Sequence, residues 1–136
     1  MKKYYLFFTL AFALLSCGDS NENTTSHSAK NYQMTECKTV AETRLGDDVL
    51  KESIECNAIS DGYLHVVHCN LPTVCDVERI DIKVTVEGKK IMVEEIPVGG
   101  GDVNCICPRD VSYDIGPFEG KGYTLSVNGK TVIINS

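Results

Sequence analysis

Seven cysteines in 136 residues are the first chemistry that this sequence offers. Six of them, Cys37, Cys56, Cys69, Cys75, Cys105 and Cys107, lie in the body of the chain. An even set of thiols in a short chain reads as a set of disulfides wherever the compartment is oxidising. Two geometric arguments narrow the pairings. Cys105 and Cys107 are two positions apart, so they share a face if Asn104 to Pro108 is extended, and each needs a partner from another segment. Cys56 and Cys69 flank the turn signal Ser60-Asp61-Gly62, which is expected to set them nearly opposite in a hairpin. The preferred pairing joins Cys56 to Cys69 and shares Cys37 and Cys75 between Cys105 and Cys107. Each bridge is worth ~2–4 kcal/mol, a large share of the net stability of a small domain.

A metal site is the rival use of the same atoms. His65, His68 and Cys69 are close in sequence, with Cys75, Cys105 and Cys107 as further ligands. Structural zinc sites favour two ligand pairs with two to four residues between the members. Cys69-x5-Cys75 and Cys105-x-Cys107 match that poorly, and His65 and His68 face opposite sides if they lie on one strand. Disulfides are therefore preferred, and no metal or other cofactor is expected. A metal-binding envelope protein built on these Cys and His residues is kept as an alternative. Calcium at Asp47, Asp48 or Asp102 lacks any ligand spacing.

Catalysis finds little support. The chain has no G-x-S-x-G, and its thiols are better used in bridges. Asp47-Asp48 and Glu94-Glu95 are carboxylate pairs, but strand neighbours point to opposite sides, so Glu94 and Glu95 are expected on an edge or solvated face. Pro97-Val98-Gly99-Gly100-Gly101-Asp102 lacks the Lys of a phosphate loop and reads as a mobile connection before Cys105. No catalytic residue is assigned, and the protein is expected not to be an enzyme.

The N-terminus carries an address. Lys2 and Lys3 precede an apolar run from Tyr4 to Leu15, which at ~1.5 Å per residue is too short to cross a ~30 Å hydrocarbon core. A charged start followed by a short apolar stretch and small residues is the pattern of a secretory signal. Leu14-Leu15-Ser16-Cys17 resembles the bacterial lipobox, in which the cysteine is acylated and becomes the first mature residue. Residues 1–16 are thus expected to be a lipoprotein signal peptide, with lipid on Cys17 as the membrane anchor. Gly18-Asp19-Ser20-Asn21-Glu22-Asn23 resembles the export tails of surface lipoproteins, which points to the outer membrane and its outer surface. Residues 17–34 are rich in Ser, Thr and Asn and are expected to form a disordered tether with a solvated His27. The folded domain is then 35–136. A net charge of −6, from 13 basic and 19 acidic residues, disfavours a nucleic-acid partner.

What must position these groups is a series of strands. Arg79 to Glu87 places Ile80, Ile82, Val84 and Val86 on one face and Asp81, Lys83, Thr85 and Glu87 on the other, the period of a half-buried strand. Gly88-Lys89 turns the chain into a second strand from Lys90 to Pro97. Val111, Tyr113 and Ile115 alternate with polar residues until Gly116-Pro117 breaks the pattern. Tyr123, Leu125 and Val127 lead into Asn128-Gly129, a strong hairpin signal, and Thr131 to Asn135 closes the chain. Glu52 to Ala58 and Tyr63 to Asn70 read as a hairpin around Asp61-Gly62. A further strand is expected from Cys37 to Arg44, with a short helix starting at Asp47 to Glu52 as the alternative for 36–52. Seven or eight strands with regular turn punctuation predict an all-β, antiparallel, immunoglobulin-like sandwich, with a small β-barrel as the alternative.

Three stretches carry a family resemblance. They are Tyr63 to Cys75, Cys105-Ile106-Cys107-Pro108-Arg109-Asp110-Val111-Ser112-Tyr113-Asp114-Ile115, and Gly122-Tyr123-Thr124-Leu125-Ser126-Val127-Asn128-Gly129. Together they resemble small cell-surface lipoproteins of Bacteroidetes type, in which a Cys-rich bend follows an early strand and a Cys-x-Cys segment precedes another. Many of those proteins have two adjacent Cys where this chain has Cys75-Asp76. The resemblance implies the fold and the address, and brings no catalytic residue with it. The function expected is a displayed, disulfide-stapled module that binds a protein or glycan or serves a structural role. A secreted-protease inhibitor presenting Pro97 to Asn104 is the alternative.

Overall fold

The structure, a computed structural model, describes residues 24–38 and 51–136. Among these residues the chain is all-β, with ten strands in two five-stranded sheets that stack as a sandwich and do not close into a barrel. The strands are β1 (Thr24–Ser28), β2 (Lys30–Met34), β3 (Ser53–Ala58), β4 (Leu64–Val74), β5 (Arg79–Glu87), β6 (Lys90–Val98), β7 (Ile106–Ile115), β8 (Thr124–Val127), β9 (Lys130–Val132) and β10 (Ile134–Asn135). One sheet has the order β1-β5-β6-β8-β9, the other β10-β3-β4-β7-β2. Most neighbours are antiparallel, but β6 with β8 and β3 with β10 run parallel, a departure from the expected all-antiparallel pairing.

The count exceeds seven or eight for two reasons. The last expected strand divides at Ile133 into β9 and β10, which belong to different sheets. The segment 24–34, expected within the tether, instead supplies β1 along β5 and β2 along β7. The chain changes sheets at Ala29, so each lateral edge of the sandwich is closed by a segment passing from one sheet to the other. Composition misreads this segment because β2 is an edge strand with almost every side chain exposed. Such a strand is held by backbone hydrogen bonds, which residue type does not record. His27, expected to be solvated, packs its ring 5.3 Å from that of Phe118. The strand expected from Cys37 is absent at Cys37 and Lys38. The remainder of that strand, the signal segment, Cys17, Asp47 and Asp48 lie outside the described residues.

The core follows the alternation of β5 and β6. Ile80, Val84, Val86, Ile91 and Val93 point inward to meet Val66, Val111, Tyr113 and Ile115 of the facing sheet. Each such side chain contributes ~1.5–3 kcal/mol on leaving water. Pro97 was expected to end its strand, yet β6 continues to Val98. Pro97 lies opposite Ile80, whose N–H donates to the Tyr32 hydroxyl at 2.9 Å, away from β6. Pro97 therefore turns its missing donor toward the side where β8 has already ended, and no ladder bond is lost.

On β4 the pairing with β7 shifts between His68 and Leu71. Asn70 takes φ 57° at this bulge, and its N–H is received by the Asp110 carboxylate at 2.9 Å. Lys38 Nζ binds both the Asn70 amide oxygen (2.6 Å) and Asp110 (2.8 Å), tying the segment that follows β2 to the bulge. The bulge also changes which residues face inward, from Leu64, Val66, His68 and Asn70 to Thr73. Strand β4 has 11 residues and, at ~3.3 Å each, runs the length of the sandwich. Its two ends, and the span between them, differ sharply in chemistry.

Candidate functional site

At one end, the segments around Cys37, Cys75 and Cys105–Cys107 converge. Cys37 is bonded to Cys107 and Cys75 to Cys105. Cys56 and Cys69, expected to form a third bridge, are free thiols. The register explains this, for Cys56 lies opposite Val66 and Cys69 opposite Ser53. The two cysteines are out of step by an odd number of residues, so Cys56 faces the core while Cys69 faces outward. Burial pushes the Cys56 thiol up to about 11.

The glycine run beside this end is pinned, not the mobile connection that the sequence suggested. Asp76, next to Cys75, accepts the N–H of Gly101 at 2.9 Å and of Asp102 at 3.1 Å. Those bonds hold its carboxyl below the usual range. A Cβ on Gly100 would meet the Asp76 carbonyl oxygen at 2.6 Å, so only glycine permits the approach. Val103 stands exposed on the loop.

Between the ends, a polar chain crosses the core. His68 and Glu95 have fully buried side chains, and Nδ1 of His68 is 2.6 Å from Oε2 of Glu95. His68 Nε2 lies 2.9 Å from Glu52, which Lys130 also binds at 2.7 Å. Glu95 further accepts from the Tyr113 hydroxyl (2.8 Å) and the Asn128 amide (3.0 Å), while Asn128 Oδ1 receives the Glu95 N–H at 2.8 Å. Burial draws the His68 pKa down, but the hydrogen bonds and charges of Glu95 and Glu52 outweigh it and the net shift is upward. Burial, with the neighbouring Glu95 carboxylate, raises Tyr113 far above its ordinary value. Glu94 and Glu95 do face opposite sides, with Glu94 exposed near Lys83 at 3.2 Å. Glu95, however, is not on a solvated face. It joins the two sheets from within.

At the other end, the β3–β4 turn and the β7–β8 loop enclose a cleft of about 470 Å³, lined by Ile59, Tyr63, Leu64, Phe118, Lys121 and Tyr123 among others. The Phe118 N–H donates to the Gly62 carbonyl at 2.8 Å, joining turn to loop. At Gly62 a Cβ would meet the Phe118 carbonyl oxygen at 2.5 Å, and φ is +78°, so glycine is required there. The rings of Phe118 and Tyr123 are 5.3 Å apart. Lys89 sits 4.1 Å over the Tyr123 ring and donates to the Glu119 carbonyl at 3.1 Å, which also receives the Tyr123 hydroxyl at 2.9 Å. Lys30 lies over the Tyr63 ring at 5.3 Å. Among the described residues, the lining contains no carboxylate side chain, imidazole or thiol. Aromatic and aliphatic side chains dominate the lining, as in small-molecule pockets.

The structure does not bring His65, His68 and Cys69 to one point, although the sulfurs of Cys75 and Cys107 do lie within 4.8 Å of each other and of Cys37. His65 faces outward, 2.6 Å from Asp114, while His68 faces the core, and Cys69 is separate from the bridged cysteines. Sequence reasoning missed the cleft, the inward turn of Glu95 and the buried Arg109. Of the motifs singled out in the sequence, Gly122-Tyr123 falls on the cleft lining. No family model, curated protein or solved structure matches the chain.

Proposed function

We propose that this protein is a bacterial surface lipoprotein, anchored in the outer membrane through lipid on Cys17, whose disulfide-stapled sandwich acts as a non-catalytic binding module. The observation that carries the binding role is the preformed aromatic cleft between the β3–β4 turn and the β7–β8 loop. Its volume falls within the ~300–1,000 Å³ of small-ligand sites, and its rings are already held by contacts inside the protein. Preorganisation lowers the ordering cost of binding. The lipobox pattern at Leu14 to Cys17 supports the anchor.

The test is a glycan and peptide array probed with the detergent-solubilised chain and with Tyr123→Ala. A ligand bound by the parent and lost in the variant is the expected result. Binding that ignores the substitution, or no binding to either class, overturns the cleft reading. Intact mass from the native host tests the anchor, through loss of residues 1–16 and gain of acyl mass.

The pinned loop favours one second reading, that of a protease inhibitor. Rigid presentation of an exposed residue such as Val103 is what an inhibitory loop requires, and Asp76 and the Cys75–Cys105 bond provide it. Inhibition of a panel of secreted proteases at micromolar concentration, abolished by Val103→Asp, is the outcome that selects this reading.

A further inference from the structure

The bridged cysteines lie closer together than two independent staples require. The sulfurs of Cys37, Cys75 and Cys107 are all within 4.8 Å of one another, although Cys75 is bonded to neither of the others. The pair of bonds is also graded in depth, since Cys105 is exposed, Cys37 and Cys75 are half-buried, and Cys107 is buried. An attacking thiol from solvent reaches the Cys75–Cys105 bond first.

On the same strand as Cys107 lies a cation with no matching anion among the described residues. Arg109, two positions after Cys107 on β7, is 7% exposed. Its Nη2 donates to the Cys75 carbonyl at 2.8 Å and its Nη1 to the Thr35 carbonyl at 3.2 Å. Its buried Nε has no hydrogen-bond partner, and among the described residues the guanidinium makes no ion pair. A buried charge is expensive to leave unpaired. A thiolate in the cluster is the anion that this position would favour, and an adjacent Arg is one of the settings that promote thiolate formation.

We propose that Cys37, Cys75, Cys105 and Cys107 form a thiol–disulfide relay, in which an external dithiol opens the exposed bond and Cys75 passes the opening inward. In the first step a thiolate of the dithiol attacks Cys105 Sγ. A mixed disulfide forms, the Cys75–Cys105 bond breaks, and its electron pair leaves on Cys75 as thiolate. Cys75 then attacks one sulfur of the Cys37–Cys107 bond, forms a new bridge to it and expels the other as thiolate. The second thiol of the external reagent closes on its own mixed-disulfide sulfur, releasing Cys105 as thiolate. The dithiol is oxidised by two electrons, and the protein keeps one bridge, now through Cys75, and gains two thiols. This is stoichiometric exchange at the end of the sandwich remote from the cleft, and it does not depend on the binding role.

The test uses the full chain with about one equivalent of dithiothreitol, acid quenching, alkylation and peptide mapping. The expected dominant one-bridge species joins Cys75 to Cys37 or Cys107 and carries alkyl groups on Cys105 and the remaining cysteine. A one-bridge species that keeps Cys37–Cys107, with Cys75 and Cys105 both alkylated, overturns the relay. Cys105→Ser provides a version without reductant. In that variant at least half the molecules are expected to bridge Cys75, and exclusive retention of Cys37–Cys107 beside an alkylated Cys75 overturns the proposal as well. Arg109→Gln is expected to slow the exchange about tenfold near neutral pH, with Arg109→Lys restoring it. Equal rates in all three proteins overturn the part assigned to Arg109.

Discussion

The two ends of the sandwich are held by opposite means. At one, two disulfides and the Asp76 carboxylate clamp a glycine-rich loop. At the other, the β7–β8 loop has no covalent tie and rests on stacked rings, a lysine over Tyr123 and backbone hydrogen bonds. The difference follows from what each segment carries. Residues 99–102 have three glycines and one aspartate, so they offer no apolar surface and must be fixed through their backbone or by a nearby bond. Residues 118–123 carry two large rings that order the loop by packing, which leaves the cleft lined with aromatic surface. Between the ends, the polar group around Glu95 joins the sheets where both other devices are absent.

That comparison is most severely tested at its centre. Glu95→Ala removes the partner of buried His68, Tyr113 and Asn128 at once, and is expected to cost ~3–5 kcal/mol in urea unfolding. A loss below about 1 kcal/mol would mean that the sheets are joined by apolar packing alone. Next in size, Cys75→Ser with Cys105→Ser opens a loop with a sequence separation of 30 and is expected to cost roughly 3–4 kcal/mol. Hydrogen exchange should then rise in 99–105 and not in 118–123; a rise at both would show that the ends are coupled.

Stability should also depend on pH through His68. Its folded pKa lies above the ordinary 6.5, so its contribution is complete below that value and is lost as pH rises through the folded pKa. Glu52, Asp110 and Asp114 act in the opposite sense. Their lowered values make their contributions complete above the ordinary carboxylate range and lost as pH falls. Urea midpoints should therefore decline as pH rises above the ordinary histidine value, and the decline should flatten in His68→Gln. An unchanged slope in that variant would assign the effect elsewhere.

Smaller effects sharpen the cleft end. Lys121→Ala, on the cleft rim, should alter stability by no more than about 0.5 kcal/mol while weakening any ligand bound there. A maleimide reagent should label Cys69 readily in the folded protein and Cys56 only on unfolding, with no energetic change to measure. Equal labelling rates would contradict the placement of the two thiols on opposite faces.

Much of the fold was legible in residue order. RIDIKVTVE gave its strand with the observed bounds because a two-sided strand writes its burial directly into alternation. The Asn128-Gly129 hairpin was equally clear, since φ values of 48° and 78° select those residue types. The edge strands β1 and β2 were not legible, because their stabilisation lies in main-chain pairing. Glu95 looked like a surface residue because carboxylates usually are. Its burial depends on His68, Tyr113 and Asn128, which arrive from distant parts of the chain.

Taken alone, the order of residues determined that this chain would be all-β, for period-two patterning is a local property that needs no partner to be read, whereas the choice of sandwich over barrel came from the sheet topology. Only the tertiary structure decided which cysteines meet, since the β3–β4 register sends Cys56 inward and Cys69 outward. It also decided that a cleft forms at one end and a sulfur cluster at the other. Both arise from loops that are far apart in the chain and adjacent only because β4 and β7 pair along their length, and such proximity is a consequence of sheet topology rather than of any local sequence signal.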